Sequence, residues 1–129
     1  MKKISCKIND DFTLELRDVK EVMGHDDSLP FNAYIYLRKN GSKRANYVGY
    51  AYNDGWGGDT CIRCEEKKHL PAMQSLSNYI RQFSVPYTYG GRTNYLPASL
   101  SFLIDLMVEV CLYNGTTEYD FSKNFIKAA

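Results

Sequence analysis

The chain has 129 residues, of which 44% are hydrophobic, 24% charged and 14% aromatic. That length suits a single domain able to bury about two-thirds of its unfolded surface. Lys and Arg total 16 against 15 Asp and Glu, a formal charge of +1, which excludes both the acidic profile of a DNA mimic and the strongly basic one of a nonspecific nucleic-acid binder.

Residues 3–9 alternate, with Ile4, Cys6 and Ile8 against Lys3, Ser5 and Lys7, the pattern of a half-buried strand. Asn9-Asp10-Asp11 reads as a turn. Phe12, Leu14 and Leu16 alternate with Thr13, Glu15 and Arg17, giving a second strand and an N-terminal hairpin. Residues 24–30 read as a loop. Residues 31–38 and 45–52 form the clearest hairpin: Ala33, Ile35 and Leu37 share one face, and Tyr34 and Tyr36 the other. Asn40-Gly41 is a strong hairpin-turn signal because both positions tolerate φ > 0. Residues 60–65 are a shorter strand candidate.

The period then changes. Leu70, Met73, Leu76, Ile80 and Phe83 fall at helical spacing, and Pro71 suits a first helical turn. Residues 84–96 read as a loop rich in Tyr and Gly. A second helix is expected from Pro97 to about Tyr113, with Asn114-Gly115 as its stop. It is apolar on nearly every side apart from Ser101, Asp105 and Glu109, which places it at the centre of the core or has it bury one face in a partner, with the core the leading expectation. The tail, residues 116–129, suits a last short strand or a packed arm. Strands first and helices later predict an α+β fold: an antiparallel sheet of about five strands with two C-terminal helices packed on one face.

Nothing in the first residues resembles an apolar export signal, and the longest apolar run, residues 100–113, is too short to span a bilayer. A cytoplasmic location without membrane contact is the expectation, with the four cysteines as thiols rather than disulfides.

Chemistry concentrates at a few places. Asn53, Asp54, Gly55, Trp56, Gly57 and Gly58, followed by Asp59 and Thr60, put three glycines and the only tryptophan together. Such a loop presents backbone N–H groups to an anion, or ends a strand with Trp56 folded on the core. Its aspartates oppose phosphate, and their spacing does not match a calcium loop. A second cluster is Cys61-x-x-Cys64 with His69, where Cys6, Cys111 or His25 would supply a fourth zinc ligand. Against zinc, Cys61 and Cys64 point to opposite faces of a regular strand. In the third, Tyr87, Tyr89, Arg92 and Tyr95 surround Gly90-Gly91 and suit stacking on a ring, with Arg92 taking a phosphate or carboxylate. Arg38, Lys39, Lys43 and Arg44 make a basic hairpin tip. His25 beside Asp26 and Asp27, and the pair Asp105 and Glu109, are the thin signs of acid–base chemistry.

The hairpin through Tyr47-Val48-Gly49-Tyr50-Ala51-Tyr52 into Asn53-Asp54-Gly55-Trp56-Gly57-Gly58 resembles small uncharacterised phage and mobile-element proteins. These carry an Asn-Asp-Gly-x-Gly-Gly block after a similar hairpin. The resemblance implies a small accessory protein made in an infected or plasmid-bearing bacterium, and it assigns no catalytic residue. The leading expectation is therefore a non-enzymatic protein that binds and inhibits a bacterial host protein or complex, such as a defence system. Its contacts would be Trp56, the hairpin tyrosines and residues 87–95, since aromatics and Arg dominate hot spots. One alternative is a nucleotide-like small-molecule binder or sponge. Another is a small zinc-stabilised module. No cofactor is expected, nucleic acid is disfavoured by the charge balance, and the exposed aromatics favour a homo-oligomer.

Overall fold

Alternating apolar residues build the long strands, and a computed structural model shows how they pair. It describes residues 2–21, 30–54 and 60–127. The strands of the first sheet are β1 (Lys2–Lys7), β2 (Phe12–Glu21), β3 (Phe31–Lys39), β4 (Ala45–Asn53), β5 (Cys61–Arg63) and β8 (Glu118–Asp120). Their spatial order is β5-β4-β3-β2-β1-β8. A turn of 3-10 helix (Lys67–His69) leads into α1 (Leu70–Ile80). A second, three-stranded sheet has the order β7-β6-β9, from β6 (Phe83–Tyr89), β7 (Arg92–Pro97) and β9 (Ile126–Lys127). Helix α2 (Leu100–Asn114) follows β7, and the single turn α3 (Phe121–Asn124) lies between β8 and β9.

The expected five antiparallel strands with two C-terminal helices are not what the chain forms. Strand outweighs helix, the strands fall in two sheets, and α2 is the one long helix among the described residues. The main cause is residues 84–96, expected as a loop. Gly90 and Gly91 both take positive φ (61° and 76°), the backbone of a two-residue hairpin turn. Tyr89 pairs with Arg92, and the register runs back to Ser84 opposite Pro97. A hairpin therefore separates the helices. The sheet is also not wholly antiparallel: β8 pairs with β1 in parallel, Ser5 opposite Glu118.

Helix limits shift for local reasons. Helix α1 ends at Ile80, and Phe83 belongs to β6, its ring 5.2 Å from Tyr79 and 5.0 Å from Phe121. Helix α2 begins after Ser99, whose Oγ accepts a hydrogen bond from the Phe102 N–H at 3.0 Å. Pro97 is the last residue of β7. Gly115 caps α2 in the left-handed conformation at φ 68°. At the Asn40-Gly41 turn only Gly41 has positive φ (87°). Asn40 instead ties two turns together: its Nδ2 donates to the Asn9 carbonyl (2.8 Å) and its Oδ1 accepts from Thr13 Oγ1 (2.6 Å).

One core lies between the six-stranded sheet and the helices. Ile4, Cys6, Leu14, Leu16, Ala33, Ile35 and Ala51 meet Met73, Leu76 and Ile80 of α1 and Leu103, Ile104, Met107, Val108 and Cys111 of α2. The tail closes one end of it with Phe121 and Phe125, whose rings stack at 4.5 Å. Among the described residues no helix is long and apolar enough to cross a membrane.

Candidate binding surface

Because α1 and α2 cover one face of the six-stranded sheet, the alternating residues of its strands form an opposite face on which, among the described residues, neither of these helices packs, and only His69 of the 3-10 turn reaches its edge, 5.9 Å from the Tyr47 ring. Strand β3 contributes Asn32, Tyr34, Tyr36 and Arg38 there, between the inward Phe31, Ala33, Ile35 and Leu37. Strand β4 would alternate in the same way but carries a bulge between the pairs Ile35↔Gly49 and Tyr36↔Tyr47. The extra residue, Val48, lets Tyr47 share the outer face with Tyr50 and Tyr52 although it is three residues from Tyr50. Cross-strand pairs then set Tyr34 opposite Tyr50, Tyr36 opposite Tyr47 and Asn32 opposite Tyr52. The rings touch: Tyr34 and Tyr36 meet Tyr47 edge-on at 6.1 and 5.6 Å, and Tyr50 and Tyr52 stack at 6.2 Å.

Charge on this face is organised around one carboxylate. Glu15 of β2 is buried, though it points away from the core. Its Oε1 accepts from Arg17 Nη2 (2.8 Å) and Nε (3.1 Å), and its Oε2 from Arg38 Nε (2.6 Å). Burial pushes the Glu15 carboxyl up, but the hydrogen bonds from Arg38 and Arg17 outweigh it and hold it below its usual range. The Arg17 guanidinium also lies 4.1 Å from the centre of the Tyr36 ring, a cation–π contact. Arg38, expected at a solvated basic tip, is thus folded onto the sheet, where its Nη1 also donates to the Ser42 carbonyl (3.0 Å). Lys39, Lys43 and Arg44 do remain exposed. Arg63 of β5 sits opposite Tyr50 and hydrogen-bonds Tyr52, which raises its already high pKa further. Tyr47 closes the edge: its hydroxyl donates to Glu65 at 2.7 Å, and its own ionisation is pushed up by burial and by that carboxylate.

The face is not flat. In β2 a bulge lies between Arg17, opposite Tyr34, and Lys20, opposite Asn32. Asp18 takes positive φ (52°) there, a conformation that aspartate tolerates. Asp18, Lys20, Asn32, Tyr34, Tyr50 and Tyr52 line a groove of about 520 Å³, floored by Ala33 and Ala51. That volume is in the range of small-molecule sites.

Asn53 ends β4 and is buried; its Nδ2 donates to Thr60 Oγ1 (3.4 Å), which donates to Asp105 Oδ1 of α2 (3.3 Å). Asp105 therefore ties the start of β5 to the core helix, while Glu109 is exposed. Asp54 is exposed. Gly55, Trp56, Gly57, Gly58 and Asp59 lie outside the described residues, as do His25, Asp26 and Asp27. Tyr87, Tyr89 and Arg92 share one face of the β6–β7 hairpin while Tyr95, opposite Pro86, lies on the other, and all four are exposed, Tyr89 at 79%. That hairpin belongs to the other sheet, so two aromatic surfaces stand where the sequence suggested one linked set.

The cysteine cluster does not assemble. Cys61 is exposed on β5, the Cys64 Sγ lies 3.3 Å from the Glu66 carbonyl, and His69 Nε2 is 3.1 Å from Glu66 Oε2. Cys6 and Cys111 are in the core. Among the described residues no three Cys, His, Asp or Glu side chains converge as metal ligands.

Sequence reasoning missed Glu15, Arg17, Lys20 and Arg63 as parts of a surface. A polar residue at each alternate position of β2 was visible, but only the sheet order brings Arg17 and Lys20 beside the tyrosines of β3 and β4. Compared with known proteins, the chain matches no family model, no curated protein and no solved structure.

Proposed function

We propose that this is a binding protein that acts by covering a bacterial host component, in the setting of a phage or mobile element. The observation that carries the reading is the sheet face turned away from α1 and α2, which bears Tyr34, Tyr36, Tyr47, Tyr50 and Tyr52 beside Arg17, Arg38 and Arg63. Tyrosine gives contact area with a polar tip at low entropy cost, and arginine supplies directional donors. Rings that brace one another, and arginines held by Glu15 and Tyr52, lose little freedom on binding. A partner suited to this face offers apolar patches bordered by carboxylates. The hairpin carrying Tyr87, Tyr89, Arg92 and Tyr95 provides a second contact region.

The test is affinity purification from a bacterial host, followed by native mass spectrometry of the complex. Wild-type protein holds a host component in fixed stoichiometry. The double variant Tyr34→Ala/Arg63→Ala loses it by about a hundredfold, the scale of a lost hot spot, while Lys123→Ala on the tail keeps it. A partner retained by the double variant removes the sheet face from the proposal, and no stoichiometric partner for the wild type removes the reading itself. The same spectra report whether the chain self-associates.

A further inference from the structure

We propose that the groove lined by Asp18, Lys20, Asn32, Tyr34, Tyr50 and Tyr52 binds a nucleoside monophosphate, a planar heteroaromatic ring joined to a sugar and a phosphate. This goes beyond occlusion of a protein partner and does not depend on it. The groove is built by two departures from regular strand. The bulge in β2, with Asp18 at positive φ, sets Asp18 and Lys20 on its wall. Bulges commonly re-aim side chains next to functional sites, and strained backbone collects there.

The opposing wall is aromatic. Tyr34 lies opposite Tyr50, and Tyr52 stacks beside Tyr50 with an interplanar angle of 25°. Tyr34 is 48% exposed, which leaves ring surface for a base to contact. Stacking on such rings is tolerant of base identity and is a main source of affinity for nucleobases. Asn32, directly opposite Tyr52, offers an amide that both donates and accepts toward a base edge. Lys20 is exposed at the rim and is a point charge for the phosphate. Asp18 accepts hydrogen bonds from sugar hydroxyls and, by repulsion, orients the phosphate toward Lys20. The volume of about 520 Å³ holds a single nucleotide. Arg92, one of the sequence's candidates for this chemistry, lies outside the groove lining.

Isothermal titration of the purified chain with AMP, GMP, CMP and UMP tests this, with the four nucleosides and a dT12 oligonucleotide as further arms. At least one monophosphate binds with Kd below about 1 mM. Lys20→Ala weakens that monophosphate about fivefold and leaves the parent nucleoside unchanged, as expected for one exposed charge contact. Tyr34→Ala weakens both about tenfold or more. Both side chains are solvent-facing, and matching melting curves confirm that the variants are folded. No binding by any monophosphate, affinities unmoved by the two variants, or binding of dT12 alone each overturns the proposal.

Discussion

Gly49 is where the sheet's construction is most exposed to a single atom. A Cβ placed on it would overlap the carbonyl oxygen of Arg63 and lie 2.7 Å from the Met73 Cε. The methionine end can swing aside, since its chain is flexible. The Arg63 oxygen is β5 backbone, and β5 is held to β4 by three residue pairs: Tyr50↔Arg63, Ala51↔Ile62 and Tyr52↔Cys61. Normal contact lies at about 3.5 Å, so β5 must retreat by about 1 Å and weaken that ladder. Overpacking against backbone costs up to about 3 kcal/mol, and replacing glycine returns about 1 kcal/mol through the unfolded chain. Gly49→Ala is therefore expected to destabilise by about 2 kcal/mol. An unfolding entropy of about 2.1 cal/mol/K per residue turns that into a Tm loss of about 7 °C for this chain. Thermal melts followed by circular dichroism measure it. In the Met73→Ala background the alanine still costs about as much, because the obstacle is the Arg63 carbonyl. A Tm drop under about 2 °C, or full relief by Met73→Ala, would refute the reasoning.

Two other outcomes are expected. Glu15 titrates lower in the folded than in the unfolded chain. Its contribution to stability is thus complete above its unfolded value, about 4.3, and is lost as pH falls through the lower folded value. Denaturant titrations between about pH 2 and pH 6 show stability rising with pH, and Glu15→Gln flattens that slope; an unchanged slope removes Glu15 as its source. Burial, reinforced by neighbouring Cys111, pushes the Cys6 thiol up to about 12, whereas Cys61 is exposed on β5. A thiol reagent at neutral pH followed by peptide mapping therefore modifies Cys61 and spares Cys6 and Cys111 until denaturant is added; early labelling of Cys6 contradicts the burial.

Local pattern and tertiary packing divide this protein unevenly. Alternation in Ile4–Cys6, Leu14–Leu16 and Ala33–Ile35 was enough to place β1, β2 and β3 and to say which side is buried. The near-continuous apolar surface of residues 100–113 was enough to put α2 in the core. The β6–β7 hairpin was misread as a loop: the adjacent Gly90 and Gly91 carry a hairpin-turn signal, but the strands on either side lack an alternating apolar pattern. Burial periodicity is a weak guide where a strand has almost no buried face, and β7 buries none of its residues. The Phe83 reading failed for a related reason, since one more apolar residue at helical spacing does not distinguish another helical turn from the next strand.

The candidate site depended on tertiary structure almost throughout. That eleven tyrosines are present is composition; that Tyr34, Tyr36, Tyr47, Tyr50 and Tyr52 share one face depends on the Val48 bulge and on α1 and α2 packing on the other side. Arg17, Lys20 and Glu15 join them only because β2 lies next to β3. The sequence by itself determined which residues must leave water, because hydrophobic period is a property of the local chain. Only the folded structure decided which polar residues would meet, because strand order and bulges are set by non-local pairing that no short window of sequence contains.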